Sequence, residues 1–233
     1  MRVELINLKR YFNEKKALDI DRLLIESGKV YAVLGPNGSG KSTMLRILAG
    51  FDRDFSGSVC YNGMEKLQYN CISYMPQSIY MFDFTVLENV LLGFGRGRID
   101  RSDALSRVKA ALGFVGMDGF SNAKARSLSG GEAQRVALAR TLVLGRDLVL
   151  LDEPSSATDI TGVGLAEKYI RSVNSKDGST IVFTTHNPSQ AARIADEVIM
   201  MHSGRIVEIG SPQQIFDSPK EQETRDFLRN WRI

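Results

Sequence analysis

The stretch Lys29–Gly50, KVYAVLGPNGSGKSTMLRILAG, constrains the fold of this chain more than any other. An apolar run, Val30–Leu34, enters a glycine-rich loop, and from Ser42 the pattern turns helical, with Met44, Leu45, Ile47 and Leu48 apolar and Gly50 as the stop. The loop itself, Gly35-Pro36-Asn37-Gly38-Ser39-Gly40-Lys41-Ser42-Thr43, fits G-x-x-x-x-G-K-S/T with a strand before it and a helix after it, the context this motif requires. Glycines let the backbone curl so that successive N–H groups point at phosphate oxygens, and the helix N-terminus adds its positive end. Lys41 is predicted to bridge the β and γ phosphates and the Ser42 hydroxyl to bind Mg²⁺. The loop therefore predicts nucleoside triphosphate binding in an α/β fold.

Two more apolar runs end in polar residues. DLVLLDEP and STIVFTTH are continuous, as expected of strands in a parallel sheet covered on both faces, and open α/β sheets bind ligands at the C-terminal ends of such strands. Asp152 is predicted to anchor Mg²⁺ and its neighbour Glu153 to act as base for the attacking water. His186, at the tip of the second run, falls on the same edge, where an imidazole could contact the γ-phosphate. His202 sits beside a hairpin turn and is read as an ordinary polar residue.

The rest of the chain frames this unit. RVELINL alternates, ALDIDRLLIE is apolar-rich, and GSVCYNG and NCISYMPQ read as further strands, the first ending in an Asn-Gly turn. Between Gln77 and Leu128 the strand signals vanish. Thr85 and Glu88 make a capping box before VLENVLLGF, and Ala104, Leu105, Val108, Ala111, Leu112 and Val115 keep helical spacing, so 77–128 is predicted to be an inserted helical lobe. EVIMMHSGRIVEIG reads as a hairpin over Ser203-Gly204, followed by a last helix with Ser218, Pro219 and Glu221 at its start. The end at Ile233 is expected to leave no room for a further domain.

Composition narrows the setting. Of 233 residues 43% are hydrophobic and 24% charged, and no run approaches the roughly 20 apolar residues of a membrane span, so any work at a membrane is expected from outside the bilayer. The start MRVELINLKR has no apolar region behind a basic flank, so no secretory signal and a cytosolic address are expected. A net charge of +3 with scattered Lys and Arg is too small to argue for nucleic acid, and no nucleic acid is expected as partner. Cys60 and Cys71, in successive strand segments, are read as reduced buried thiols.

A second glycine corner, SLSGGEAQRVALAR from Ser127, asks for a separate reason. Ser129 as N-cap and Glu132 three later form a capping box, which explains the serine and the glutamate. It does not explain Gly130 and Gly131 inside the first turn, where each costs roughly 1 kcal/mol against alanine. Their benefit must be close approach of something to bare backbone, and a helix N-terminus attracts an anion. Since the first loop already surrounds one face of its triphosphate, this clamp most economically serves the nucleotide of another copy.

With these residues in view the sequence resembles the ATP-binding subunits of ATP-binding-cassette (ABC) transporters over nearly its whole length. The family's Walker A loop matches Gly35–Thr43, its glutamine loop Gln77 in YMPQ, its signature motif Leu128–Glu132, Walker B Leu148–Asp152, its catalytic glutamate Glu153, its D-loop Ser155–Asp159 and its switch histidine His186. The resemblance implies a single ABC ATPase domain over 1–233: a P-loop NTPase, RecA-like core with a mixed central sheet and an N-terminal antiparallel β subdomain (1–76 and 129–233), with the helical subdomain 77–128 inserted. It implies that two copies sandwich two ATP molecules, each between the Walker A loop of one and Ser129, Gly130 and Gly131 of the other, with Asp159 also reaching across. Tyr11 matches the aromatic that stacks on adenine, with Phe12 as the weaker alternative, and Gln77, Ser42 and Asp152 would share the Mg²⁺. Glu153 would orient or deprotonate the water and His186 hold the γ-phosphate, beside Lys41. The D-loop departs from the family's usual Ala-Leu-Asp by placing Thr158 in the middle.

The resemblance further implies integral membrane permease subunits, an extracytoplasmic solute-binding protein and a peripheral place on the cytoplasmic face of the membrane. The run IYMFDFTV, Ile79 through Val86, is the expected docking surface for the membrane subunit, with lobe core as the alternative reading. KALDIDRLLIESGKVYAVLGPNGSGKST resembles tungstate-type oxyanion importers, with amino acids or other small solutes as alternative cargo. A cassette ATPase acting on nucleic acid or ribosomes is the rival class, disfavoured by the single cassette and by a lobe too short for a long coiled coil.

Overall fold

The computed structural model describes residues 1–95 and 99–231; positions 96–98, within the expected lobe, and 232–233, including Ile233, lie outside the described residues. The alternating start forms β1 (Val3–Phe12) and β2 (Lys15–Ile25), an antiparallel pair that buries Val3, Leu5 and Leu8 with Leu18, Ile20, Leu23 and Ile25. β3 (Val30–Leu34) is buried throughout and leads through the glycine loop into α1 (Lys41–Leu48). β4 (Ser56–Tyr61) returns to the free edge of β1 and completes the antiparallel sheet β2-β1-β4. Its exit turn carries positive φ at both Asn62 and Gly63, 50° and 82°, the twist that an Asn-Gly turn supplies.

β5 (Ile72–Met75) follows a single 3₁₀ turn, Tyr69–Cys71, so Cys71 lies ahead of the strand rather than in it. The turn closes through Cys71 N–H donating to Gln68 O at 2.9 Å, and both cysteines are free and only partly buried. The helical segment then supplies α2 (Val86–Leu91) and α3 (Arg101–Phe114), and α4 (Gly130–Leu142) follows just after it. Both expected capping boxes are present, Thr85 with Glu88 before α2 and Ser129 with Glu132 before α4. On α3 the buried residues are Ala104, Val108, Ala111 and Leu112, which share one face.

Alternation resumes with β6 (Leu148–Asp152), α5 (Ile160–Asp177), β7 (Thr180–Thr184), α6 (Pro188–Ile194), β8 (Glu197–His202) and β9 (Arg205–Gly210), followed by α7 (Pro212–Asp217) and α8 (Gln222–Arg229). The central sheet runs β5-β6-β7-β3-β8-β9, parallel except for the β8–β9 hairpin, and is therefore mixed. One apolar core fills the space between this sheet and the helices α2 to α6; the other lies between its opposite face, α1 and the antiparallel sheet.

The C-terminal helix starts later than Ser218. Ser211 caps α7, and α8 begins after Glu221 without a side-chain cap of its own. Glu208 on β9 ties down the approach to α8, its carboxylate accepting from the N–H groups of Lys220 (3.0 Å) and Glu221 (3.3 Å) just ahead of the first helical turn.

Candidate nucleotide site

The parallel register brings the expected residues to one sheet edge. β3 opens into the glycine loop, and Asp152 at the end of β6 pairs with Thr184 at the end of β7. Around the loop lies a cleft walled by Phe12, Lys16, Gln77 and Glu153 together with Asn37–Thr43. The loop needs its glycines: Gly40 has φ 102°, and a Cβ there would lie 2.8 Å from Ala17 O. Lys41 folds back over the loop, Nζ donating to Gly35 O at 2.8 Å and Pro36 O at 3.0 Å. Burial pushes its ammonium below the usual lysine range, against the opposing pull of the Glu153 and Asp152 charges.

The carboxylates are tightly placed. Ser42 Oγ donates to Asp152 Oδ1 at 3.0 Å, and Thr184 Oγ1 donates to the same oxygen at 2.6 Å. Glu153 is buried with φ 53°, in the left-handed region that a long L side chain rarely adopts. Its N–H donates to Thr184 Oγ1 at 2.9 Å and its carbonyl accepts from Gln134 Nε2 at 2.7 Å. His186 Nδ1 meets Glu153 Oε2 at 2.8 Å. Ser42, Asp152, Thr184, Glu153 and His186 are therefore joined by hydrogen bonds, and Lys41 and Gln77 line the cleft beside them.

Other expected residues stand apart. Phe12 lines the cleft and Tyr11 does not; Tyr11 instead faces Lys16, whose Nζ is 6.0 Å from its ring centre. A register shift between Arg10 and Tyr11 accompanies this arrangement, and bulges of that kind re-aim side chains. Asp159 caps α5, accepting from Gly162 N–H at 2.8 Å, and Thr158 Oγ1 donates to Ser155 O at 2.9 Å within its own turn. Ser129, Gly130 and Gly131 begin α4 on an exposed corner, outside the cleft of their own chain.

The two glycines of that corner differ. A Cβ at Gly131 would stand 2.9 Å from Ala157 O of the chain's own D-loop, so packing within the chain already accounts for it. A Cβ at Gly130 would meet nothing within 4 Å among the described residues. Thr184 and Gln134 were missed by sequence reading. A threonine pair ending an apolar run was the available signal for the first, and the second was hidden among the polar residues of a helix.

Comparison with known proteins identifies the family. The ABC transporter family profile matches residues 18–156. A probable sulfate/thiosulfate import ATP-binding protein of Chlorella vulgaris is 36% identical, the match covering 98% of this chain and 99% of that protein.

The chain belongs to the ABC transporter family.

The tungstate uptake system ATP-binding protein of Peptoclostridium acidaminophilum is also 36% identical, over 89% of this chain and 98% of its own length. The putrescine transport ATP-binding protein of Escherichia coli is 34% identical over 97% of this chain and 61% of that protein. Among solved structures, the dimeric structure of MJ0796, a bacterial ABC transporter cassette, superposes with a TM-score of 0.82 at 28% identity, covering 90% of this chain and 98% of that one. As an ABC cassette the chain is an ATPase. Among the described residues no helix is long and apolar enough to cross a membrane.

The segment Ile79–Val86 divides between two jobs. Ile79 and Met81 pack against the core and Val86 is buried, whereas Tyr80, Phe82 and Phe84 are exposed. Tyr80 and Phe82 meet edge to face, with Arg140 over the Phe82 ring. The buried Asn89 holds the segment in shape, accepting from Phe82 N–H at 3.0 Å and donating to the carbonyls of Phe82 (3.1 Å) and Thr85 (3.0 Å).

Proposed function

We propose that the chain is the ATP-hydrolysing subunit of an ABC importer, a single cassette domain in which 77–128 is the helical lobe and 1–76 with 129–233 the core. The convergence of Lys41, Ser42, Asp152, Glu153 and His186 on one sheet edge supports this reading best. Gly35–Thr43 receive the triphosphate, and Lys41, already shielded from water, exchanges the Gly35 and Pro36 carbonyls for phosphate oxygens. The Ser39 hydroxyl, buried without a hydrogen-bond partner among the described residues, fits such a ligand. Mg²⁺ fits as well, because the Ser42 hydroxyl and the Asp152 carboxylate already meet at 3.0 Å as hard oxygen donors, with Gln77 on the same cleft. When bound, the ion neutralises charge developing on the phosphate oxygens.

Glu153 accepts the proton of the attacking water or orients it, and His186 contacts the γ-phosphate. To donate there while Nδ1 stays on Glu153, the ring must carry protons on both nitrogens; otherwise it must turn away. Adenine stacks on an aromatic of the β1 end, and the cleft wall favours Phe12 over Tyr11.

The second half of the site comes from a second copy. Ser129, Gly130 and Gly131 offer an α4 N-terminus that no nucleotide of the same chain reaches, and Asp159 stands near the same seam. The empty space around Gly130 supports a phosphate approaching from a partner. Tyr80, Phe82 and Phe84 receive a helix of an integral membrane permease, which puts the chain at the cytoplasmic face of the membrane. A solute-binding protein delivers the cargo on the far side. An oxyanion of the sulfate or tungstate kind is the proposed solute, supported by the full-length matches to subunits named for those ions. ATP-driven uptake into vesicles carrying the complete transporter tests this. Uptake of radiolabelled tungstate or sulfate is expected, and uptake of putrescine or an amino acid instead would overturn the cargo.

A further inference from the structure

We propose that Thr184 is a positioning residue for ATP hydrolysis, its hydroxyl locking the Glu153 backbone and the Asp152 carboxylate into one fixed arrangement. The inference rests on the roles given above to Asp152 and Glu153. Thr184 ends β7 with no exposed surface, directly opposite Asp152 in the parallel ladder. Its hydroxyl has one proton, which goes to Asp152 Oδ1 at 2.6 Å, so toward Glu153 it can only accept, and the Glu153 N–H donates to it at 2.9 Å. The direction of the chain is thereby set: amide to hydroxyl to carboxylate, each bond polarising the next.

The arrangement matters because of the backbone it holds. At φ 53° Glu153 is in a conformation that persists only where surroundings impose it. Three side chains do so, Thr184 at the N–H and Gln134 with Ser156 at the carbonyl. That backbone aims the carboxylate at His186, 2.8 Å away. Without the hydroxyl the buried amide loses its acceptor and the left-handed turn loses its restraint on the N–H side, while Asp152 Oδ1 keeps only Ser42. Valine fills the same volume without the hydroxyl, and serine keeps the hydroxyl without the methyl.

The test compares Thr184→Val, Thr184→Ser and Glu153→Gln with the unaltered protein, by steady-state ATPase kinetics and by hydrogen–deuterium exchange of the nucleotide-free protein across 151–155. Thr184→Val is expected to lower kcat on the order of 10- to 100-fold with KM for ATP within about twofold, the pattern of a misplaced group rather than a lost binding contact. The Glu153 amide should exchange at least roughly tenfold faster, and Thr184→Ser should recover both properties. Unchanged kcat or unchanged exchange in Thr184→Val would overturn the inference, as would a serine variant as impaired as the valine. If Thr184→Val fails to fold, Thr184→Cys, a weaker donor and acceptor of similar size, carries the same readouts. Turnover persisting in Glu153→Gln would overturn the base role itself; a silent Glu153→Gln beside an unimpaired Thr184→Val would sink only the role of Thr184.

Discussion

His186 Nδ1 stands 2.8 Å from Glu153 Oε2, so without nucleotide the proposed γ-phosphate contact is engaged with the proposed base. ATP must compete for the histidine, and that competition links occupancy of the cleft to release of the glutamate. Glu153→Gln is expected to bind ATP normally and to lose turnover by roughly 10²- to 10⁴-fold, the contribution of a general base. Equilibrium binding beside single-turnover hydrolysis checks it.

The cleft wall makes a separate claim about the adenine. Phe12→Ala should weaken ATP binding about fivefold, the scale of one aromatic stacking contact, while Tyr11→Ala changes it less. Titration with a fluorescent ATP analogue discriminates the two, and the reverse order would restore Tyr11.

Hydrogen bonds to the Ser129 hydroxyl and N–H hold the Glu132 carboxyl below the usual carboxylate range, and Thr85 does the same for Glu88. A carboxyl depressed on folding contributes stability that is present above its unfolded value and lost as pH falls through its folded one. The unfolding midpoint should therefore drop as pH falls below about 4. In Glu132→Gln with Glu88→Gln, which keep a capping acceptor but cannot titrate, that drop should shrink. Thermal melts across pH 3–7 read it.

Replacing Tyr80, Phe82 and Phe84 together by alanine removes exposed rings and leaves Ile79, Met81 and Val86 in the core. ATPase activity of the isolated subunit should stay within about twofold, because surface changes away from such cores are nearly neutral. Uptake by the assembled transporter should fall to background, as measured in vesicles.

Much of this was legible beforehand because its signals are local. The apolar runs of β3, β6 and β7, the two capping boxes and the Asn62-Gly63 and Ser203-Gly204 turns each depend on neighbours within a few positions. What escaped depends on distant partners. Glu208 holds the approach to a helix that starts more than ten residues later, Thr184 joins the Asp152 carboxylate to the Glu153 amide across a strand pair, and Ala157 O explains Gly131 from another loop. The aromatic run Ile79–Val86 was ambiguous for a related reason: alternation assigns its faces, but only the packed lobe says which face is covered.

Dimerisation on ATP is the central claim, and Gly130 tests it more cleanly than Gly131, whose Cβ would strike Ala157 O at 2.9 Å and disturb the chain's own D-loop. Among the described residues a Cβ at Gly130 meets nothing within 4 Å, and an aspartate in the first turn of α4 suits the helix dipole, so the monomer should fold and bind ATP unchanged. The decisive measurement is light scattering of Glu153→Gln with ATP and Mg²⁺, alone and combined with Gly130→Asp. The account predicts a dimer for the first and a monomer for the second, the new carboxylate repelling the partner's phosphate; a dimer persisting in Gly130→Asp would contradict it.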